Sequence, residues 1–248
     1  MTTPLLVTER DGHLLATLSR PQARNAIDLA LVEHLHQLCD RLERDPQPLV
    51  LTGSGGIFAA GADIRQLRER GPREALAGIN STVFDRVARL PMPTVAAIDG
   101  PAIGGGAELA YACDFRIATE RAYFANPEVN LGIAAAAGAC YRLRELVGLP
   151  IATQMLLGGR TLSAQEALTF GLVAELTAGE DELLPAADRL VARIGRGSAL
   201  AVRITKLALH APPSAHPAFD NVAQAVLFGD AEKTKRMTAF LDRSQEAR

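Results

Sequence analysis

A-I-D-G-P-A-I-G-G-G-A-E-L-A-Y-A-C-D, residues 97–114, places three consecutive glycines before an apolar stretch that contains the carboxylate of Glu108. A buried strand is predicted to end at Ile98, and a helix is predicted to begin near Gly105. The first N–H groups of a helix have no partner within it and carry partial positive charge, and glycine lets a ligand approach them closely. Glu108 lies about one turn further on and can reach the same side as the Gly105 N–H. The stretch therefore suits an oxygen that becomes negative during a reaction, although a tight strand-to-helix turn explains the same residues.

A second loop offers similar backbone groups. F-A-A-G-A-D-I, residues 58–64, also follows a predicted strand and precedes a predicted helix. Read alone it is a surface turn, and Asp63 is predicted to cap the next helix on either interpretation. One N–H group from each loop would form an oxyanion hole, in which a donor contributes about 3–4 kcal/mol to transition-state stabilisation.

A third segment, N-P-E-V-N-L-G (126–132), contains Glu128 after a proline. By itself Glu128 reads as an exposed loop residue. Beside an oxyanion hole, however, Glu108 and Glu128 would supply a general acid and a general base without a metal or a covalent nucleophile.

The composition excludes several classes of protein. The chain is 48% hydrophobic and 22% charged with a net charge of −2, which fits a globular protein with a buried core and predicts neither nucleic-acid nor membrane binding. Its N-terminus does not resemble a secretory signal, and no apolar run is long enough to cross a bilayer. The three cysteines are far apart, which disfavours a disulfide framework or a zinc site and indicates a cytoplasmic location.

Local signals predict an α/β body followed by a helical tail. Asp11-Gly12 is a typical hairpin turn, and Asp28 is predicted to cap a helix that runs to about Arg44. Ser163 and Glu166 form a capping-box pattern. From residue 150 onward the pattern is mostly helical, and the last fifty residues are predicted to contain only helices.

Four ordered segments carry a family resemblance. R-P-Q-A-R-N-A-I, F-A-A-G-A-D-I, the stretch 97–114 and F-A-N-P-E-V-N-L-G-I together resemble the enoyl-CoA hydratase/isomerase (crotonase) family. The likeness runs from about residue 5 to residue 240. It implies an α/β fold with a spiral core of ββα repeats over residues 1–195, which binds acyl-CoA, and a C-terminal helical trimerisation region over 196–248. It also implies a homotrimer, usually paired as a hexamer.

The resemblance also implies roles for individual residues. Ala62 and Gly105 match the N–H donors that hold the thioester oxygen, and Glu108 and Glu128 match the two acid/base glutamates of the hydratases. The implied coenzyme A contacts are Arg24, Ala26, Ala60, Ala62, Asp63 and Ile64. Coenzyme A is part of the substrate, so no separate cofactor or metal is expected.

The expected activity is hydration of a 2-enoyl-CoA thioester, because both glutamates are present. By resemblance, Glu108 mainly activates the water and Glu128 mainly protonates the α-carbon. The alternatives are an enoyl-CoA isomerase or another crotonase-type reaction through the same enolate, and a non-catalytic acyl-CoA-binding homologue.

The sequence departs from the family pattern after Gly132. Where hydratases resemble T-I-P-G-A-G-G-T-Q-R-L, this chain reads I-A-A-A-A-G-A-C-Y-R-L, with alanine at 135, 136 and 139 in place of proline and two glycines. The added methyl groups of Ala136 and Ala139 are expected to narrow the acyl pocket and to favour short or slender chains. A second departure is K-T-K-R-M-T-A-F (233–240), where an acid–glycine pair is usual.

Overall fold

The computed structural model describes the backbone of residues 3–246 and the side chains up to Arg243. Its internal contacts divide the chain between Val191 and Ala192 into two compact units. The sequence-based division at 195/196 stays a prediction. Within residues 3–246, no helix combines the length and the apolar character that crossing a bilayer requires.

The first unit contains the strands. In chain order they are β1 (Leu5–Arg10), β2 (His13–Leu18), β3 (Leu49–Gly53), β4 (Thr94–Ile98), β5 (Pro101–Ile103), β6 (Phe115–Thr119), β7 (Tyr123–Ala125), β8 (Leu162–Ser163) and β9 (Glu175–Thr177). Its helices are α1 (Leu29–Arg44), α2 (Ile64–Glu69), α3 (Pro72–Leu76), α4 (Ile79–Ala88), α5 (Gly105–Tyr111), α6 (Ala139–Leu156), α7 (Ala164–Thr169) and the part of α8 (Glu180–Gly195) up to Val191.

Two sheets organise this unit. The larger has the strand order β1-β2-β3-β4-β6-β9, in which β1 and β2 are antiparallel and the other pairs are parallel. The smaller has the order β5-β7-β8, with β5 parallel to β7 and β8 antiparallel to it. The central strand β4 is buried along its whole length, as expected for a parallel strand covered on both faces.

The chain alternates between the two sheets. β4, β5 and α5 form one ββα repeat, and β6, β7 and α6 form a second; the first strand of each lies in the large sheet and the second in the small one. This order confirms the predicted repeat pattern. It also places the loops after β3 and β5 beside each other, because Ala59 bridges to Ala102.

Local signals predicted several boundaries of the first unit. The hairpin turns at Asp11-Gly12, and the Asp28 carboxylate accepts a hydrogen bond from the Leu31 N–H at 2.8 Å, which caps α1. The capping box of Ser163 and Glu166 begins α7. The short strands β5, β8 and β9 were not predicted, because two or three residues show no period and each strand is defined by its pairing with a distant segment.

The second unit is helical within the described residues, which confirms that prediction. After the end of α8 it contains α9 (Ala199–Leu209), α10 (Ala218–Phe228) and α11 (Ala231–Glu246), and the Ser198 side chain caps α9. Large apolar side chains of these helices are exposed in the single chain: Leu207, Leu209, Val222, Val226, Phe228, Met237, Phe240 and Leu241.

Candidate active site

The loop after β3 is joined by backbone hydrogen bonds to β5, the strand that leads into the glycine loop. The Phe58 N–H donates to the Pro101 oxygen at 3.1 Å, and the Ile103 N–H donates to the Ala59 oxygen at 3.0 Å. Gly106 makes this approach possible, because a Cβ there would lie 2.2 Å from the Ala59 oxygen. The two predicted ligand-binding loops therefore form one structure.

The backbones at Ala62 and Gly105 lie close together. A Cβ built on Gly105 would be 3.4 Å from the Ala62 nitrogen. Gly104, just before α5, has a φ of +53°, a backbone conformation that glycine adopts without steric cost. Among the described residues, neither the Ala62 nor the Gly105 N–H has a hydrogen-bond acceptor. Two adjacent unpaired donors can bind one oxygen atom that gains negative charge.

Glu108 is buried in α5 and is held by the backbone at the start of α6. Its Oε1 accepts hydrogen bonds from the N–H groups of Ala137 at 2.8 Å and Ala139 at 3.1 Å, and the residue is 3% exposed. Burial raises the pKa of Glu108 to about 7, and the nearby Glu128 carboxylate adds to the increase. A carboxyl group with this pKa is divided between its acid and base forms near neutral pH.

Glu128 is also buried, so the interpretation as an exposed loop residue is wrong. It begins the short 3-10 helix Glu128–Leu131 and is 9% exposed. The Tyr111 hydroxyl donates to Asn126 Oδ1 at 3.1 Å, and Asn126 Nδ2 lies 3.4 Å from Glu128 Oε1. Glu128 Oε2 is buried and has no hydrogen-bond partner among the described residues. Burial raises the pKa of Glu128 above its usual value.

One cavity joins these groups. It has a volume of about 480 Å³, and Ala62, Gly105, Glu108 and Glu128 all line it. Most of its remaining wall is small or apolar: Ala60, Gly61, Ile64, Leu67, Ala75, Ile79, Ile103, Leu131, Ile133, Ala134, Ala136 and Ala137. Polar side chains on the wall include Arg70, Glu74, Asn80 and Ser81. The cavity can therefore hold an apolar group with a polarised oxygen at the paired N–H groups.

The residues expected to contact coenzyme A divide into two sets. Ala60, Ala62 and Ile64 line the cavity, whereas Asp63, Arg24 and Ala26 are not part of its wall. The Asp63 carboxylate accepts from the Arg65 N–H at 3.1 Å, so the predicted cap of α2 is confirmed.

Arg24 and Ala26 contribute backbone contacts near the same loop. The Arg24 oxygen accepts from the Ala60 N–H at 3.0 Å, and the Ala26 oxygen accepts from the Arg20 guanidinium at 2.5 Å. These contacts shape the loop, and the binding roles of Arg24 and Ala26 stay predictions.

The alanine segment differs from the expectation at one position. Ala136 lines the cavity as expected, but Ala139 is fully buried in the core and is not part of the cavity wall. Ala139 instead acts through its N–H on Glu108. The expectation that both methyl groups narrow the acyl pocket is therefore wrong for Ala139, because this residue is packed in the hydrophobic core.

Several residues of the site escaped the sequence analysis. The backbone donors of Ala137 and Ala139 carry no side-chain signal, and Arg70 looks like the other arginines of its segment. Asn126 begins the segment N-P-E-V-N-L-G, and its place two residues before Glu128 is the signal that could have identified it. The sequence does not show that Arg70 and Asn80 belong to the site, because only the tertiary structure brings the end of α2 and the start of α4 to the same cavity.

Comparison with known proteins agrees with this geometry. The enoyl-CoA hydratase/isomerase family profile matches residues 9–247. A short-chain-enoyl-CoA hydratase of Clostridium acetobutylicum is 33% identical over 96% of this chain and 95% of its own length. A 2,3-dehydroadipyl-CoA hydratase of Escherichia coli is 38% identical over 83% of this chain and 81% of its own.

Solved structures show the same fold. A crystal structure of enoyl-CoA hydratase from Bacillus anthracis superposes with a TM-score of 0.91 at 29% identity, covering 97% of this chain and 96% of that one. The profile match, the relatives and the shared fold extend over nearly the whole sequence. This chain therefore belongs to the enoyl-CoA hydratase/isomerase family.

Proposed function

We propose that this chain is an enoyl-CoA hydratase, which adds water across the 2,3 double bond of a 2-enoyl-CoA thioester. The observation that carries the proposal is the pair of unpaired N–H groups on Ala62 and Gly105 in the same cavity as two buried carboxyl groups. Relatives named short-chain-enoyl-CoA hydratase and crotonyl-CoA hydratase support it.

The paired N–H groups act on the thioester oxygen. When water attacks the β-carbon, electrons move from the double bond toward the carbonyl, and the oxygen becomes negative. The Ala62 and Gly105 N–H groups stabilise this enolate, each contributing about 3 kcal/mol in comparable sites. Because neither donor has another acceptor among the described residues, neither has to break a bond before it binds the substrate.

The two glutamates move the protons. Ionised Glu108 takes a proton from the water as its oxygen bonds to the β-carbon, and protonated Glu128 gives a proton to the α-carbon. The reaction adds one water molecule and leaves Glu108 protonated and Glu128 ionised. Exchange of one proton through solvent then restores the enzyme. Burial raises the pKa of Glu108 to about 7 and also raises the pKa of Glu128, so the two carboxyl groups share their protons as a pair.

Isomerisation through the same enolate is the competing activity. It moves a proton between two carbons and does not consume water. Two carboxyl groups in one cavity favour hydration, since one can hold the water while the other serves the α-carbon. A non-catalytic homologue would have no use for two buried carboxyl groups, which are costly to keep in a protein.

The proposed chemistry needs no metal and no cofactor apart from the coenzyme A that enters with the substrate. The exposed apolar side chains of α9, α10 and α11 support a homotrimer or a hexamer. Three free cysteines among the described residues fit a cytoplasmic enzyme.

The test uses crotonyl-CoA. Purified protein should remove the absorbance of the conjugated thioester, and chromatography should identify 3-hydroxybutyryl-CoA as the product. The variant with both Glu108→Gln and Glu128→Gln is the matched control and should be inactive. Formation of a 3-enoyl-CoA isomer without hydration would replace the proposal with the isomerase alternative.

Light scattering at micromolar concentration tests the assembly. A trimer or a hexamer is expected, and a monomer would contradict the proposed role of the helical tail.

A further inference from the structure

Arg70 places a charged hydrogen-bond donor on the cavity wall, and the proposed hydration does not use this donor. It lies at the C-terminal end of α2, and its side chain lines the cavity wall together with Leu67 and Ile79. An arginine guanidinium has five N–H donors and no acceptor, and it stays charged in proteins. Arg70 is half-buried, and a hydrogen-bonded or charged partner stabilises a guanidinium on a largely apolar wall.

The partner that the chain supplies is neutral. Arg70 Nη1 donates to Asn80 Oδ1 at 3.1 Å. No carboxylate oxygen of the described residues lies within 4.0 Å of the Arg70 guanidinium. Most of its donors are therefore available to a ligand.

Asn80 connects Arg70 to the oxyanion hole. It is 9% exposed, and because arginine cannot accept a hydrogen bond, its Oδ1 must face Arg70 and its Nδ2 must face the other way. Nδ2 lies 3.7 Å from the position of a Cβ on Gly105. One asparagine side chain thus separates the guanidinium from the donors that hold the thioester oxygen.

The carboxyl groups of the cavity do not neutralise Arg70. Glu74 Oε2 accepts the Gly71 N–H at 2.9 Å, and this bond lowers the pKa of Glu74. Glu74 is exposed and caps α3. Glu108 accepts from the Ala137 N–H and Glu128 accepts from the Asn126 side chain. The remaining donors of Arg70 are therefore available to an acceptor with negative charge, which the substrate can bring.

We propose that Arg70, oriented by Asn80, binds a carboxylate at the end of the acyl chain, so that the preferred substrate is a short 2-enoyl-CoA with a terminal carboxylate. This inference rests on the proposed function. A carboxylate accepts two parallel hydrogen bonds from a guanidinium, which makes the contact strong and directional. Because a single asparagine side chain separates Arg70 from Gly105, we expect the acyl chain between the thioester and the carboxylate to be short.

The experiment compares two substrates of equal length. The first is the 2-enoyl thioester of a six-carbon dicarboxylic acid, and the second is trans-2-hexenoyl-CoA. We expect kcat/KM to be at least tenfold higher for the dicarboxylic substrate. Replacing Arg70→Met keeps the length of the side chain and removes the charge; it should lower kcat/KM for that substrate by roughly 10- to 100-fold and change the hexenoyl value less than about threefold.

Two further variants isolate the contact. Asn80→Asp supplies an internal counter-ion to Arg70 and should remove the preference although the guanidinium is still present. Arg73→Met is the matched control, because Arg73 is exposed on α3 and is not part of the cavity wall, and it should leave the preference unchanged.

Each alternative has a distinct result. A wild-type protein that hydrates both substrates equally well overturns the inference and leaves the proposed function intact. An equal loss on both substrates in Arg70→Met would assign the guanidinium to a phosphate of coenzyme A, which also overturns it.

If no substrate is hydrated, the proposed function fails. Calorimetry with adipyl-CoA and hexanoyl-CoA then tests the carboxylate contact alone. Tighter binding of adipyl-CoA, lost in Arg70→Met, is expected, and equal affinities refute it.

Discussion

Replacing Glu108→Gln should stabilise the protein at alkaline pH while it removes catalysis. The amide oxygen of glutamine can still accept hydrogen bonds from the Ala137 and Ala139 N–H groups, which hold Glu108 Oε1 at 2.8 and 3.1 Å. The substitution therefore removes a buried negative charge and keeps the local hydrogen bonds.

The magnitude follows from the pKa of Glu108, which burial raises from 4.5 to about 7. One pKa unit corresponds to about 1.4 kcal/mol, so ionised Glu108 costs the folded state about 3 kcal/mol. Below the unfolded-state pKa the group is protonated in both states, and the cost vanishes. As the pH rises toward 7, the folded state holds more protons than the unfolded state, and stability falls. Between pH 5 and pH 8 the wild type should lose about 2.5 kcal/mol through this group.

The assay is urea unfolding at pH 5 and pH 8, at one protein concentration because assembly contributes to stability. The free energy of unfolding of Glu108→Gln minus that of the wild type should increase by about 2–3 kcal/mol from pH 5 to pH 8. Glu145→Gln is the control, since Glu145 is exposed on α6, and it should show no such increase. A difference that is constant with pH would refute the argument that Glu108 is destabilised by burial.

Three further predictions concern the same site. Glu128→Gln should lower turnover of crotonyl-CoA by at least about 10²-fold, and adding Glu108→Gln should cost far less than the product of the single effects, because the carboxyl groups act as a unit. Gly106→Ala should abolish activity and destabilise the protein by several kcal/mol, since its Cβ would lie 2.2 Å from a backbone oxygen. The control is Gly195→Ala, whose Cβ meets nothing within 4 Å. Equal unfolding free energies for the two variants would contradict this. Ala136→Gly should extend activity toward longer or branched 2-enoyl-CoA substrates, whereas Ala139→Gly should leave the chain-length profile unchanged and cost about 1 kcal/mol of stability; the same broadening in both variants would refute the placement of Ala139.

The amino-acid sequence by itself determined features whose causes are local. The turn at Asp11-Gly12 and the caps at Asp28, Asp63 and Ser163 depend on residues a few positions apart, and each was predicted correctly. Four motifs in a fixed order identified the family, and the family match extends over residues 9–247.

The tertiary structure decided which distant groups meet. Glu108 depends on N–H groups about thirty residues away, and the burial that raises its pKa comes from the packing of α5 against the start of α6. Ala139 was expected to line the acyl pocket, because spacing along the chain does not show that tertiary packing buries this residue in the core.

Arg70 and Asn80 illustrate the same limit. Separately they are an ordinary arginine and an ordinary asparagine, ten residues apart on different helices. Local sequence patterns report on neighbours within a turn or two, whereas a site is assembled by side chains whose separation in space is set by the packing of whole elements.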